Sequence, residues 1–274
     1  MFKAFNLTIS KDCVEGNVNV VKGYWSDIKE QTERDFQKYV KDGIADVTKI
    51  ENDWFPSVDV NVFISHSHAD EELAKCLAAW LYKNFSLKSF IDSYVWGYCD
   101  DLLDEINGLY SYKRHEGNRI FYDHRLCNVA SKHVDTILNI ALQKMIDKTE
   151  VVFFLKTQNS IESCESCMND ATYSPWIYSE LVCTKIIRKR KIEEHRTKSC
   201  MEELKEAKLA NDGLTAKYEV NTEHLIELND DLLDQWLRRY ECYKSVHPLD
   251  CLYDKIHPLD LLYKIVEESG KIKD

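Results

Sequence analysis

The sequence predicts an α/β fold: a flavodoxin-like parallel sheet flanked by helices, with further helical segments at both ends. Three observations carry this. Short apolar runs alternate with amphipathic helical stretches between residues 58 and 190. The run VVFFL at 151–155 is apolar without alternation, as in a parallel strand covered on both faces. The stretches joining successive runs are long enough for the crossovers that parallel strands need.

Composition sets the outer limits. A chain of 274 residues, 44% apolar and 30% charged, suits one large soluble domain or one and a half. Its net charge of −11 argues against nucleic acid or an anionic membrane as the main partner. An anionic small molecule would have to rely on local groups. The first residues lack the apolar stretch of a secretory signal, and no run approaches the roughly 18–20 apolar residues of a bilayer span. The ten cysteines are therefore expected as reduced thiols in a cytoplasmic protein. Cys164 and Cys167 form a lone C-x-x-C with no second pair at zinc spacing, so no metal is expected.

Taken in order, residues 1–57 read as an N-terminal strand–helix extension. Residues 2–9 alternate well enough for a strand, and 21–50 read as mostly helical, with Trp25, Ile28, Phe36, Tyr39 and Val40 apolar. Pro56 breaks the pattern, which puts a boundary near residue 57. Residues 58–210 form the α/β domain. Its first strand is 58–64. Ser67-His68-Ala69-Asp70 is a capping-box pattern opening a helix with Leu73, Leu77, Trp80 and Leu81 inward. Residues 87–92 form a second strand. Val134, Ile137, Leu138, Ala141 and Met145 mark a second helix, followed by strand 151–155. Segments 93–130 and 158–173 read as long loops, the kind that act as lids or binding loops. Pro175 after Ser174 starts a third helix, expected to run past Arg190 and on to about Leu209 as a charged rod. Residues 211–274 read as a C-terminal extension packed on the domain. It holds a short strand near 217–220 and a repeated His-Pro-Leu-Asp, from His247 and from His257, each opening a helical turn.

Parallel α/β sheets bind ligands beyond the carboxyl ends of their strands. That rule gathers four stretches: 65–68, 92–98, 157–160 and the start of the Pro175 helix. Ser65, His66 and Ser67 have two readings, phosphate or ribose contact at a helix start or structural capping; a metal pair is disfavoured because His66 and His68 do not share a helix face. Asp92 ends a strand and reads as a cap or a site residue. Tyr94 and Trp96 sit at alternate positions beyond the strand, where they could stack on a base or nicotinamide ring. The cations 188–191, followed by Glu193 and Glu194, read as a solvated helical face. Glu180 stands out, because its helical arc also holds Trp176, Ile177 and Cys183. A carboxylate there is either salt-bridged or wanted for chemistry, since burying it alone costs several kcal/mol.

Three blocks then resemble a known family: Val62-Phe63-Ile64-Ser65-His66-Ser67-His68-Ala69-Asp70, Phe90-Ile91-Asp92, and Ser174-Pro175-Trp176-Ile177-Tyr178-Ser179-Glu180-Leu181. In this order they are similar to the Toll/interleukin-1 receptor (TIR) domain, in its bacterial branch. The resemblance spans about residues 58–190. It departs from the family at the long loops and at both ends of the chain. It implies a TIR fold and cleavage of NAD+ at the nicotinamide–ribosyl bond, with Glu180 as the catalytic residue of the W-x-x-x-E-L helix. Ser65, His66, Ser67, Asp92, Tyr94, Trp96, Ser174 and Trp176 would bind the substrate. The product would be ADP-ribose or a cyclic ADP-ribose-like signal, as in Thoeris-type antiphage defence. NAD+ is then substrate and not cofactor. Expected partners are other TIR domains by self-assembly and a separate effector reached through the product. Two alternatives stand beside this, a non-catalytic TIR interaction module and a nucleoside-processing transferase on a similar sheet.

The chemistry fits one carboxylate. Nicotinamide leaves as a neutral molecule from a cationic ring, so no general acid is required. The transition state is oxocarbenium-like, which a single negative charge near the ribose stabilises.

Overall fold

The structure is a computed structural model that describes residues 1–14, 36–41, 44–55, 58–112, 114–116, 119–161, 170–196, 218–219, 221–246 and 256–270. In chain order it begins with β1 (Lys3–Thr8), a short hairpin of β2 (Val40–Lys41) and β3 (Ile44–Ala45), and α1 (Val47–Trp54). The body continues with β4 (Val62–Ser65), α2 (Glu71–Phe85), β5 (Ser89–Ile91) and α3 (Ser93–Tyr110). A second hairpin, β6 (Arg114–Glu116) and β7 (Arg119–Phe121), leads to α4 (His124–Lys148) and β8 (Val151–Leu155). Then come β9 (Ala171–Thr172), α5 (Pro175–Ile186), α6 (Ile192–Arg196), β10 (Tyr218–Glu219), β11 (Ile226–Asn229), α7 (Asp230–Val246) and α8 (Pro258–Glu268).

Five strands make one parallel sheet in the order β11-β1-β8-β4-β5. The α/β expectation therefore holds. From the β5 edge, β5-β4-β8 follows the first three places of the flavodoxin-like order 2-1-3-4-5. The last two places are taken by β1 from the N-terminus and β11 from beyond residue 210. VVFFL is the middle strand, and all five of its residues are buried.

This arrangement corrects the expected boundary near residue 57. β1 is an interior strand, with Ala4, Phe5, Asn6 and Leu7 all buried, and its side chains join the same apolar core as β4, β8 and α8. The strand's apolar–polar alternation is broken by tertiary context: Asn6 stays inside by donating from Nδ2 to Glu227 Oε1 at 2.7 Å. The helix expected over 21–50 is also corrected where it is described. Residues 36–39 form a 3-10 turn, β2 and β3 pair antiparallel, and the helix spans Val47–Trp54, capped by the Asp46 side chain on Lys49 N–H. Trp25 and Ile28 lie outside the described residues.

The expected loop 93–130 is mostly regular structure. α3 takes its first half, with buried Cys99 and Leu102 and half-buried Leu103 and Ile106, an i, i+3, i+4, i+7 stripe. Past α3, the β6–β7 hairpin and the flanking turns expose Tyr112, Ile120, Phe121 and Tyr122. Residues 162–169, with Cys164 and Cys167, lie outside the described residues. The ends of that loop are drawn together by Lys156 Nζ on Asp170 Oδ2 at 2.9 Å.

Among the described residues the helix expected to run past Arg190, α5, ends at Ile186, and a separate short helix, α6, follows. The cations after Ile186 bind the last turn of α5 and the start of the chain. Lys189 Nζ donates to the Thr184 carbonyl at 2.6 Å, and Arg190 N–H donates to the Met1 carbonyl at 3.0 Å. Arg190 pairs with Asp147 of the body, whereas Arg188 stays exposed and pairs with the nearby Glu194, so the stretch is largely solvated but lies between two helices rather than along one. Residues 197–217 lie outside the described residues. The strand expected near 217–220 is there, as β10 antiparallel to β9. The second His-Pro-Leu-Asp copy opens α8 as expected, with Pro258 in its first turn and Leu259, Leu262 and Tyr263 buried. The first copy lies outside the described residues.

Trp236 joins the C-terminal part to the sheet helices. It is fully buried, stacks on Phe85 at 3.9 Å between ring centroids, and donates from Nε1 to the Pro258 carbonyl at 2.9 Å. Trp236→Phe removes that hydrogen bond and part of the buried ring. It is expected to lower stability by about 1–2 kcal/mol, read as an earlier urea midpoint. An unchanged midpoint would mean that α7 and α8 do not share the core.

Candidate functional site

All five strands run the same way, so their carboxyl ends lie at one edge of the sheet. The chain leaves β4 through α2 to β5 on one side and later passes to β8 on the other. The switch point therefore falls between β4 and β8, where such folds bind ligands. Ser65 is the last residue of β4 and pairs in register with Phe154 of β8; Asp92 follows directly after β5.

Helix α5 carries Glu180 to this edge. Ser174 caps it, its hydroxyl accepting from Ile177 N–H at 3.3 Å, and Pro175 occupies the first turn. The buried residues Ile177, Glu180, Leu181, Cys183 and Thr184 make its inner surface. Glu180 is 3% exposed, and Ser65 Oγ donates to its Oε2 at 2.5 Å. On the other side the Asp92 carboxyl adjoins Glu180, at a range that a proton on either one would bridge. Asp92 is fully buried and caps α3: its Oδ1 accepts from Ser93 N–H at 2.8 Å and lies 2.6 Å from His66 Nδ1. Ser65, Glu180, Asp92 and His66 thus form one continuous buried chain of polar groups.

Burial pushes the Glu180 carboxyl well above its ordinary value, and the Asp92 charge adds to this; the Ser65 hydrogen bond opposes both. For His66, burial works against the imidazolium, but the charge and hydrogen bond of Asp92 outweigh it and raise the imidazole. One turn along α5, burial pushes the Cys183 thiol up to about 12, with Glu180 and Asp147 adding to it.

A second cluster adjoins the first. The Asp70 carboxylate accepts from Ser67 Oγ at 2.6 Å, Thr157 Oγ1 at 2.5 Å and Asn159 Nδ2 at 2.8 Å. It ties the turn after β4 to the turn after β8 across the switch point.

The expected substrate residues divide accordingly. Ser65, His66, Asp92 and Glu180 come together. Ser67 turns to Asp70, so the capping box is corrected: its hydroxyl meets the Asp70 side chain and caps no backbone N–H, and a 3-10 turn over His68–Asp70 precedes α2. Tyr94 and Trp96 lie in the first turns of α3 and not in a loop; their side chains lie outside the described residues. Ser174 serves as the cap of α5, and Trp176 is half-buried against the core. His66 is buried while His68 is exposed, so the two do not converge. Among the described residues no group of three His, Cys, Asp or Glu side chains could hold a metal ion, and no helix is long and apolar enough to cross a membrane.

The Asp70 hub is the part that sequence reasoning missed. The sequence puts Thr157 and Asn159 at the edge and Asp70 in a capping box, but nothing local links positions 87 and 89 residues apart.

No protein-family model, curated protein or solved structure matches the chain. The site therefore has to be read from its own chemistry.

Proposed function

We propose that the chain is a TIR-type enzyme that cleaves the nicotinamide–ribosyl bond of NAD+, with Glu180 as the catalytic residue. The observation that supports this reading is the placement of Glu180. It is a buried carboxyl at the switch point of a parallel sheet, bonded to Ser65 and paired with Asp92. The three sequence blocks that resemble the TIR family supply the residues of this cluster.

In this reading the C1′–N bond breaks with its electron pair passing to the pyridinium nitrogen, which releases neutral nicotinamide. The ribose is left as an oxocarbenium ion. Ionised Glu180 stabilises that cation and orients the ribose hydroxyls, and Ser65 holds the carboxylate in place. Water adds to C1′ and gives its proton to Glu180, yielding ADP-ribose; attack by an adenine nitrogen or a ribose hydroxyl of the same molecule yields a cyclic product. The cluster is closed to solvent, so the surrounding turns must part before substrate reaches it. Self-assembly with other TIR domains, a separate effector and a role in antiphage defence belong to the same proposal.

The test is mass spectrometry of the nucleotides formed when concentrated protein is incubated with NAD+, wild type beside Glu180→Gln. Nicotinamide with ADP-ribose or a cyclic isomer, from wild type alone, is the expected result. Equal inertness of both proteins, dilute and assembled, would replace the enzyme by the interaction module. Cleavage of free nucleosides but not of NAD+ would favour the transferase.

A further inference from the structure

Glu180 Oε1 and Asp92 Oδ2 are both buried, and no N–H or O–H of the described residues donates to either. The two carboxyls nevertheless adjoin, at a range that a proton on either one would bridge. Two carboxylate oxygens have no donor between them, and two like charges this close in a dry site repel strongly. The missing donor is a proton on one of the two carboxyls. Asp92 already has two nitrogen neighbours at its other oxygen, Ser93 N–H at 2.8 Å and His66 Nδ1 at 2.6 Å. Glu180 has one hydroxyl and apolar neighbours, so the proton belongs on Glu180.

We propose that Asp92 stores a proton on Glu180 in the resting site, and that arrival of the cationic nicotinamide ring releases it. This rests on the NAD+-cleaving reading. The neutral acid gives little stabilisation to an oxocarbenium ion, so the resting site is unready. A pyridinium ring beside Glu180 favours the carboxylate and drives the proton out; the neutral dihydropyridine ring of NADH carries no charge to do so. Asp92 is then a positioning residue, and the site selects its substrate by charge.

The groups around the pair are few. Ser65 and His66 come from the end of β4, and Cys183 lies one turn along α5. From α4, Asn139 bonds Ser179, Asp135 is half-buried, and Asp147 is paired with Arg190. Glu71 of α2 acts on His66. β8 presents the apolar Phe153, Phe154 and Leu155. Arg190 and the Met1 amino group are taken by Asp147, and Lys189 acts one turn along at Cys183, so the alternative source of a released proton beside the pair is His66.

The experiment is titration calorimetry of the full chain at pH 7, in two buffers of different ionisation enthalpy. The ligands are a carbocyclic, uncleavable NAD+ analogue and NADH. The analogue is expected to bind with release of up to about one proton and NADH with none. Release should survive in His66→Gln, shrink in Asp92→Asn and vanish in Glu180→Gln, each variant checked for folding by circular dichroism. Binding of the analogue without proton release in wild type overturns the inference and leaves the substrate reading standing. Release that persists in Glu180→Gln moves the proton to His66 and also overturns it. Failure of the analogue to bind at all overturns both.

Discussion

Glu180→Gln is expected to lower nicotinamide release from NAD+ by about 10²–10³-fold, the cost of losing one preorganised electrostatic group. The same change should leave stability within about 1 kcal/mol at acid pH. Gln is isosteric with the neutral acid, its amide N–H can donate to Asp92, and its carbonyl can accept from Ser65. The variant therefore separates chemistry from folding. It also has a pH signature. The folded-state value of Glu180 lies well above the ordinary 4.5, so the native protein keeps a proton that the unfolded chain has lost. Wild-type stability from this group is fully present below about 4.5 and falls as pH rises through the window up to the folded-state value. Glu180→Gln lacks that fall, so the difference between the two melting curves should shift in the variant's favour as pH rises. Melting temperatures of both proteins that stay parallel across this range would show that Glu180 holds no such proton.

The second large effect lies at the opposite end of the sheet. Glu150, immediately before β8, is 4% exposed. It accepts from Arg196 Nη2 at 2.8 Å and from the Tyr263 hydroxyl at 2.8 Å. Arg196 also grips both oxygens of Asp260, at 2.9 and 2.7 Å. One guanidinium thus joins α6, α8 and the start of β8. Arg196→Met leaves the Glu150 carboxylate buried with a single hydroxyl, which costs about 3 kcal/mol, towards the low end for a broken buried pair because Arg196 is partly solvated. Tyr263→Phe should cost less, about 1–2 kcal/mol. Urea unfolding measures both. Nicotinamide release should not respond, since neither residue approaches Glu180; a parallel loss of activity would show that the two ends of the sheet are coupled.

Local pattern carried much of the architecture. VVFFL reads as a doubly covered strand because no polar residue interrupts it, and the structure puts it in the middle of the sheet. Ser174-Pro175 marks a helix start by its own backbone preferences, and α5 begins there. The helical wheel turned Glu180 inward because that inference needs only the geometry of one helix. α3 could have been read from Cys99, Leu102, Leu103 and Ile106, a stripe obscured by the aromatics before it and the polar hairpin after it.

What the sequence determined by itself was therefore the kind of each element and the face it buries, since a period of two or 3.6 is set within a few residues. The tertiary structure alone decided which elements meet. β1 pairs with β8 nearly 150 residues later, so a boundary drawn at Pro56 cuts through one core. The state of Glu180 was decided the same way. Its partner Ser65 lies 115 residues away in sequence, and Asp92 reaches it from the end of another strand. Whether a carboxyl is charged depends on what surrounds it after folding, and no local pattern in the chain encodes that.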